Sequence, residues 1–317
     1  MNETGATTSR QVQREAADNT SHPDRPGLDE LVPSRYALKV GAIDVLVVSD
    51  GVLSLPGAML GHNVDPAVRA AWLEDMFLPP DVLEWALNVV VVRSGGRTIL
   101  IDVGIGMEFP DLPRAEKLAQ RLKAAGIDPA SVTDVVLTHL HVDHIGGLLA
   151  DGLRGRLRPD VPIHLAATEA KFWVSPDFSR NAFGGFPDLL RSAEERFVDR
   201  YRSQLRPFEA EYEVAPGVVV HRTGGHTPGH SVVRLASGGD RLTFLGDAVF
   251  PNHFDRPDWY NAFDHDPEEA VRVRVRLLRE LAATREPLVA AHLSFPSVGR
   301  VAVAGDVFRF VPATWEH

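Results

Sequence analysis

The 317-residue chain contains no cysteine. Disulfides are excluded, and so is thiolate as nucleophile or metal ligand. There is no run of lysine and arginine, and the net charge is −10 at pH 7, so a nucleic-acid groove lined with cations is not expected. No apolar stretch reaches the ~18 residues needed to cross a bilayer, and no membrane partner is expected. Residues 1–35 are polar and lack the apolar segment of a signal peptide, so a cytoplasmic location is expected. This extension reads as a flexible tail or as an arm that packs on a partner subunit, which allows a homodimer. A Gly-x-Ser-x-Gly nucleophile elbow is also missing. The remaining residues, 36–317, are long enough for one large domain. The apolar fraction of 44% is that of an ordinary globular core.

Against these absences stands one dense cluster. His139, His141, Asp143 and His144 lie within six residues. They follow Asp134-Val135-Val136-Leu137, a short apolar run that reads as a buried strand. Ile145-Gly146-Gly147 follows, where the backbone can turn sharply. His139 and His141 are two apart and face the same way on an extended segment. Asp143 and His144 are adjacent and diverge, a geometry that suits two ions side by side. Burying four such groups without a cation would be costly. Without sulfur, the donors left are imidazole and carboxylate. These fit zinc, with manganese, cobalt or iron as other ions the same donors accept.

Along the chain, residues 37–48 and 52–55 read as an opening hairpin turned by Ser49-Asp50-Gly51. A short helix is expected over 66–76, and strands over 85–92 and 98–102. A helix over 114–125 should stop at Gly126. A strand over 161–166 precedes a helix from Glu169, and 175–208 reads as a long loop with a helix after Pro187. Further strands are expected over 218–222, 231–235, 242–245 and 288–291. Asp266-Pro267-Glu268-Glu269 starts a helix, with Val271, Val275, Leu278 and Leu281 on its apolar face. Asp102, His139, His226, Asp247 and His292 each sit just past an apolar strand, where α/β folds assemble their sites.

These motifs resemble the metallo-β-lactamase superfamily. The residues that carry the resemblance are His139-x-His141-x-Asp143-His144, Gly225-His226-Thr227-Pro228-Gly229-His230, Asp247 and His292. The resemblance covers residue 38 to the end. It implies an α/β fold, the αββα four-layer sandwich with two mixed sheets flanked by helices. It also implies two divalent metals. One is held by His139, His141 and His226, the other by Asp143, His144 and His292, with Asp247 between them. His230 and the strand-end Asp102 would hold the ligand loops rather than a metal. Within the superfamily, Ser49-Asp50-Gly51, Lys171-Phe172-Trp173, residues 290–296 and residues 308–312 are similar to the methyl parathion hydrolases, with the quorum-quenching lactonases next. Phe250 stands where homoserine-lactone lactonases often carry a tyrosine. Arg300 stands where the parathion hydrolase pattern has histidine.

The resemblance implies hydrolysis by a hydroxide shared between two metals, attacking a lactone or aryl-ester carbonyl, with phosphotriesterase activity secondary. Asp143 and Asp247 supply negative charge and can take the proton of the attacking water. Trp173, Phe183, Phe186, Phe250, Phe254, Tyr260 and Phe295 flank the ligand segments and are the expected pocket wall. That wall suits a small apolar or aromatic ester or lactone. Two other readings stay open: an organophosphate hydrolase as the main activity, and a mononuclear iron oxygenase of the persulfide dioxygenase kind.

Overall fold

The computed structural model describes residues 32–106, 115–149, 151–177 and 187–315. The expected pocket residues Phe183 and Phe186, and most of the expected N-terminal extension, lie outside them. Residues 34–317 form one compact unit.

Two seven-stranded sheets make up that unit. The first runs β1 (Arg35–Val40), β2 (Ile43–Pro56), β3 (Val82–Ser94), β4 (Arg97–Ile101), β5 (Asp134–Val136), β6 (Ile163–Ala166) and β7 (Leu205–Phe208) in sequential order. Strands β1 to β4 are antiparallel, and β4 to β7 are parallel. The second contains β8 (Glu211–Ala215), β9 (Val218–Arg222), β10 (Ser231–Ser237), β11 (Asp240–Phe244), β12 (Leu288–Val289), β13 (Gly299–Ala304) and β14 (Val307–Pro312), again in order. Only its β11–β12 pair is parallel.

Alternation along the strands explains why the sheets stack. Val45 and Val47 of β2, with Val90 and Val92 of β3, face Val218, Val220, Val233, Leu235 and Phe244 of the other sheet. The residues between them, Leu46, Val48, Val89 and Val91, face outward onto helices, as a period of two requires. Four helices with buried apolar residues against the first sheet are α1 (Pro66–Asp75), α2 (Leu118–Ala124), α3 (Val142–Leu149) and α6 (Pro187–Tyr201); α5 (Ala167–Phe172) packs there through half-buried Ala170 and Phe172, and a short α4 (Asp151–Arg154) lies between α3 and β6. The second sheet is covered by α7 (Pro267–Thr284), through Val273, Leu277, Leu278 and Leu281. The result is helix, sheet, sheet, helix, the four-layer sandwich expected.

Several local expectations shift. The opening turn falls at Gly41, where φ is +55°, and Ser49-Asp50-Gly51 lies within one long strand as a bulge. The bulge leaves Asp50 out of the ladder, and its carboxylate instead accepts the N–H groups of Ile105 and Leu118. Asp266 caps α7 through Glu269 N at 3.0 Å, as its pattern implies. The buried face of that helix is Ala270, Val273, Arg274, Leu277, Leu278 and Leu281; Val271 and Val275 flank it half-buried. Strand β7 lies inside the expected loop over 175–208, and β8 just beyond it in a stretch assigned no element, because their apolar alternation is weak and backbone pairing with β6 and β9 supplies the order.

The strands β4, β5, β9, β11 and β12 all end on one edge of the sandwich. Their next residues include Asp102, the run 138–144, the run 225–230, Asp247 and His292. Among the described residues, no helix is long and apolar enough to cross a membrane.

Candidate metal centre

Residues Thr138 to His141 follow β5 as an irregular segment with a bend at Thr138, and α3 begins at Val142. Asp143 and His144 therefore sit on the first helical turn, one step off the line of His139 and His141. The helix is pressed onto the strand ends: Val103 N donates to His144 O at 2.9 Å, and Gly147 N to Gly104 O at 3.2 Å. A Cβ on Gly146 would lie 1.7 Å from Ile105 O, so only glycine permits this approach.

The ligand candidates gather into two groups that share one carboxylate. His139, His141, His226 and Asp247 form the first, and Asp143, His144, Asp247 and His292 the second, each with donor atoms within 4.8 Å of one another. The oxygens of Asp247 lie 3.9 Å from His139 Nε2, 3.4 Å from His226 Nε2, 3.2 Å from His144 Nε2 and 3.0 Å from His292 Nε2. Asp143 Oδ2 is 3.4 Å from both His144 Nε2 and His292 Nε2. All five imidazoles are buried.

For four of the five rings the far side fixes the tautomer. His226 Nδ1 meets Asp264 Oδ1 at 2.9 Å, His144 Nδ1 meets Asp102 Oδ2 at 2.8 Å, and His292 Nδ1 meets Ala86 O at 2.9 Å. Thr138 Oγ1 donates to Asp102 and so accepts from His139 Nδ1, 3.0 Å away. Acceptors at Nδ1 keep the proton there and leave Nε2 facing the centre. His141 is turned the other way, with Nδ1 3.1 Å from His226 Nε2, so Nδ1 is its inward donor. His139 Nε2, His141 Nε2, His144 Nε2 and Asp247 Oδ1 are buried with no hydrogen-bond partner. Bare nitrogens converging on buried carboxylates fit a pair of divalent cations and would be expensive without them.

The charges follow the same division. Burial, with His144 and His141 as positive neighbours, holds His139 well below the ordinary histidine range, and burial with His226 does the same to His141. Burial opposes protonation of His144 too, but Asp247, Asp143 and Asp102 outweigh it and push the ring well above. Burial would raise Asp247; His292 and His144 overcome that and hold it well below.

Asp102 accepts Thr138 N at 2.9 Å besides its histidine, and its φ is +59°, a strained conformation for a non-glycine residue. His230 spends both ring nitrogens on the loops: Nε2 accepts Asp247 N at 3.1 Å, and Nδ1 lies 2.9 Å from Thr223 Oγ1. Phe250 lies flat on His292, 5.0 Å between centroids and 13° between planes. Trp173 meets His141 edge-on at 6.1 Å. Tyr260 pairs with His62 at 5.9 Å. Phe295 packs against the inter-sheet core, and Phe254 against Phe310 at 5.4 Å in the core under α7. The wall expected from sequence is thus split: Trp173 and Phe250 touch the imidazoles, while Phe254 and Phe295 are absorbed by packing.

Residues that sequence reasoning passed over complete the surroundings. Asp264 Oδ2 binds Arg274 Nη2 at 3.1 Å, and Arg274 also donates to Trp259 O and Pro257 O. The available signal was a charged residue on the apolar face of α7. Asn88 donates to Ala290 O, Ala291 O and Leu293 O, around His292. Trp85 lies 4.7 Å from Phe250 and 5.2 Å from His292. His265 stacks on His141 at 5.7 Å, and burial beside His226 depresses its pKa to about 3. Glu169 accepts four hydrogen bonds and is pushed up by burial.

Residues 84–292 match the profile of the metallo-beta-lactamase superfamily. The chain belongs to that superfamily. A "Probable metallo-hydrolase" of Mycobacterium tuberculosis is 25% identical over 185 residues, which cover 51% of this chain and only 56% of that protein. An N-acyl homoserine lactonase of a Bacillus species is 22% identical over 240 residues, covering 67% of this chain and 82% of that one. Among solved structures, the dizinc quorum-quenching lactonase AidC, crystallised with a product, superposes with a TM-score of 0.82 at 24% identity over 90% of this chain and 99% of its own. The hydrolase AbOPH superposes with a TM-score of 0.79 at 25% identity, with the same coverage. These matches bear out the superfamily and its fold. They name lactonases, and they leave the methyl parathion hydrolase resemblance without support.

Proposed function

We propose that this metallo-beta-lactamase-superfamily chain is a dinuclear metal-dependent hydrolase that opens lactones and cleaves aryl esters. The carrying observation is the pair of His/Asp groups joined at Asp247, with one imidazole nitrogen of each histidine aimed inward. His139, His141 and His226 would hold one ion and Asp143, His144 and His292 the other, with Asp247 reaching both. Zinc fits this donor set of imidazoles and carboxylates without thiolate. Such ions lower the pKa of water toward neutrality and polarise a carbonyl oxygen.

The protein's own residues supply the rest. Asp143 and Asp247 stay ionised beside the attack point and can receive the proton of the attacking water. Asp264, Asp102 and Ala86 O hold His226, His144 and His292 in the tautomer that presents Nε2. The Phe250 and Trp173 rings border the imidazoles and exclude water from that side. Phe250 has no hydroxyl to donate, so at this position nothing in the protein polarises the substrate carbonyl. The likeness to N-acyl homoserine lactonases supports a cyclic ester as substrate class. The apolar rings beside the site favour apolar or aromatic examples, such as dihydrocoumarin and phenyl esters, with phosphotriesters second because five-coordinate phosphorus needs wider subsites.

The test is metal content together with kcat/KM on lactones, aryl esters and phosphotriesters at one pH and one metal loading. Two ions per chain with a lactone or ester leading the ranking is expected. One iron per chain, or a phosphotriester that beats every lactone and ester, overturns the reading.

A further inference from the structure

Glu169 lies in the first turn of α5, outside the ligand segments, and is completely buried. Its carboxylate is saturated. Oε1 accepts Leu140 N at 3.0 Å and Trp173 Nε1 at 2.9 Å. Oε2 accepts Thr227 Oγ1 at 2.8 Å and Gly229 N at 2.8 Å. Leu140 is the residue between His139 and His141. Thr227 and Gly229 follow His226. One carboxylate therefore ties together the two loops that carry all three histidines of the first group, and no donor it uses comes from a residue of the second group. The contact is tight: a Cβ on Gly229 would lie 2.3 Å from Glu169 N.

We infer that Glu169 is a positioning residue that sets the distance between the His139–His141 loop and the His226 loop, and thereby the affinity of the first metal position but not of the second. The inference rests on the dinuclear reading proposed above. The second position has separate supports, Asp102 behind His144 and Ala86 O behind His292, with Asn88 clamping the carbonyls around His292. Asp102 also reaches His139 through Thr138, but Glu169 braces only the loops of the first group, so loss of Glu169 weakens that position selectively.

Glu169→Gln tests this without a change of size. Each carboxylate oxygen faces two donors, so the amide NH2 must face a donor pair in either orientation. Either Leu140 N or Gly229 N then loses its acceptor. Metal-free protein is titrated with Zn2+ against a chromophoric chelator, which resolves two binding constants. His292→Ala, a lesion in the second group, identifies which constant belongs to which position. In Glu169→Gln the constant that His292→Ala spares should weaken by about 10- to 100-fold, the usual effect of removing a residue that orients ligands, while the other changes by less than about threefold. Thr227→Val removes one donor and leaves the carboxylate, so it should lower the same constant by a smaller factor; this variant carries the test if Glu169→Gln does not fold. Unchanged constants in a folded variant overturn the inference. So does an equal fall in both constants, which marks a general structural role. A wild-type chain that binds fewer than two Zn2+ ions overturns the dinuclear reading itself, before any variant is compared.

Discussion

Replacing Asp264 by Asn should separate metal binding from folding stability. Oδ1 of Asp264 holds His226 Nδ1 at 2.9 Å, and Oδ2 holds Arg274 Nη2 at 3.1 Å and Asn261 N at 3.1 Å. Both charged side chains are at most 1% exposed. Asparagine keeps the shape but loses the charge, and its NH2 must face either His226 or the Arg274 side. Arg274 is left as a buried cation without a counter-ion, which costs about 3–5 kcal/mol. Its bonds to Trp259 O and Pro257 O survive, which places the expected loss toward the lower end. At about 2 °C per kcal/mol for a domain of this size, the melting temperature of the metal-free protein should fall by roughly 6–10 °C. The Arg274 side presents two donors, Arg274 Nη2 and Asn261 N, so the amide oxygen should turn there and the NH2 toward His226, which then loses the acceptor that fixes its tautomer; metal affinity should fall by about 10- to 100-fold. Adding Arg274→Met removes the stranded cation. Stability should largely return in the double variant, while metal affinity should not. Denaturant unfolding of the metal-free forms and Zn2+ competition titrations measure the two effects independently. A single variant that stays within about 1 kcal/mol of wild type and binds Zn2+ equally well would refute the reasoning.

Asp50 makes stability depend on pH: burial pushes it from 3.8 up to about 6, against the N–H groups of Ile105 and Leu118 and the charge of Arg121. A folded pKa above the unfolded one means its contribution is full below about pH 4 and is lost as pH rises through 6. At about 1.4 kcal/mol for each pH unit this is on the order of 3 kcal/mol, so the stability of wild type relative to Asp50→Asn should decline by that order between pH 4 and pH 7; a flat difference refutes it. Gly146→Ala should give protein that is unfolded or has lost its helical metal loop, because the new Cβ meets backbone at Ile105 rather than a movable side chain; a normal melting curve would contradict the packing. Phe77 ends α1 with φ +57° and is 96% exposed, while Leu78 N closes back on Leu73 O. That arrangement is the one glycine usually completes, so Phe77→Gly should raise stability by about 1 kcal/mol, and a loss in thermal melting would count against it.

The donors themselves were legible in the sequence, because metal ligands need specific atom types at short spacing, and His139-x-His141-x-Asp143-His144 carries both features without help from the rest of the chain. The helix start at Asp266 and the buried strands were legible for a similar reason: caps and apolar alternation are local. What holds the donors was not. Glu169 lies 29 residues from Leu140 and 58 from Thr227, and Asp264 lies 38 from His226, separations over which no periodicity carries information. A buried carboxylate reads in sequence as one more surface acid until its donors are in place. The same holds for the aromatics. Phe250 and Phe254 are both apolar and four residues apart, yet one lies against His292 and the other against Phe310. Composition could nominate both as wall, but only the packing of the loop after β11 decides which ring reaches the site and which fills the core beneath α7.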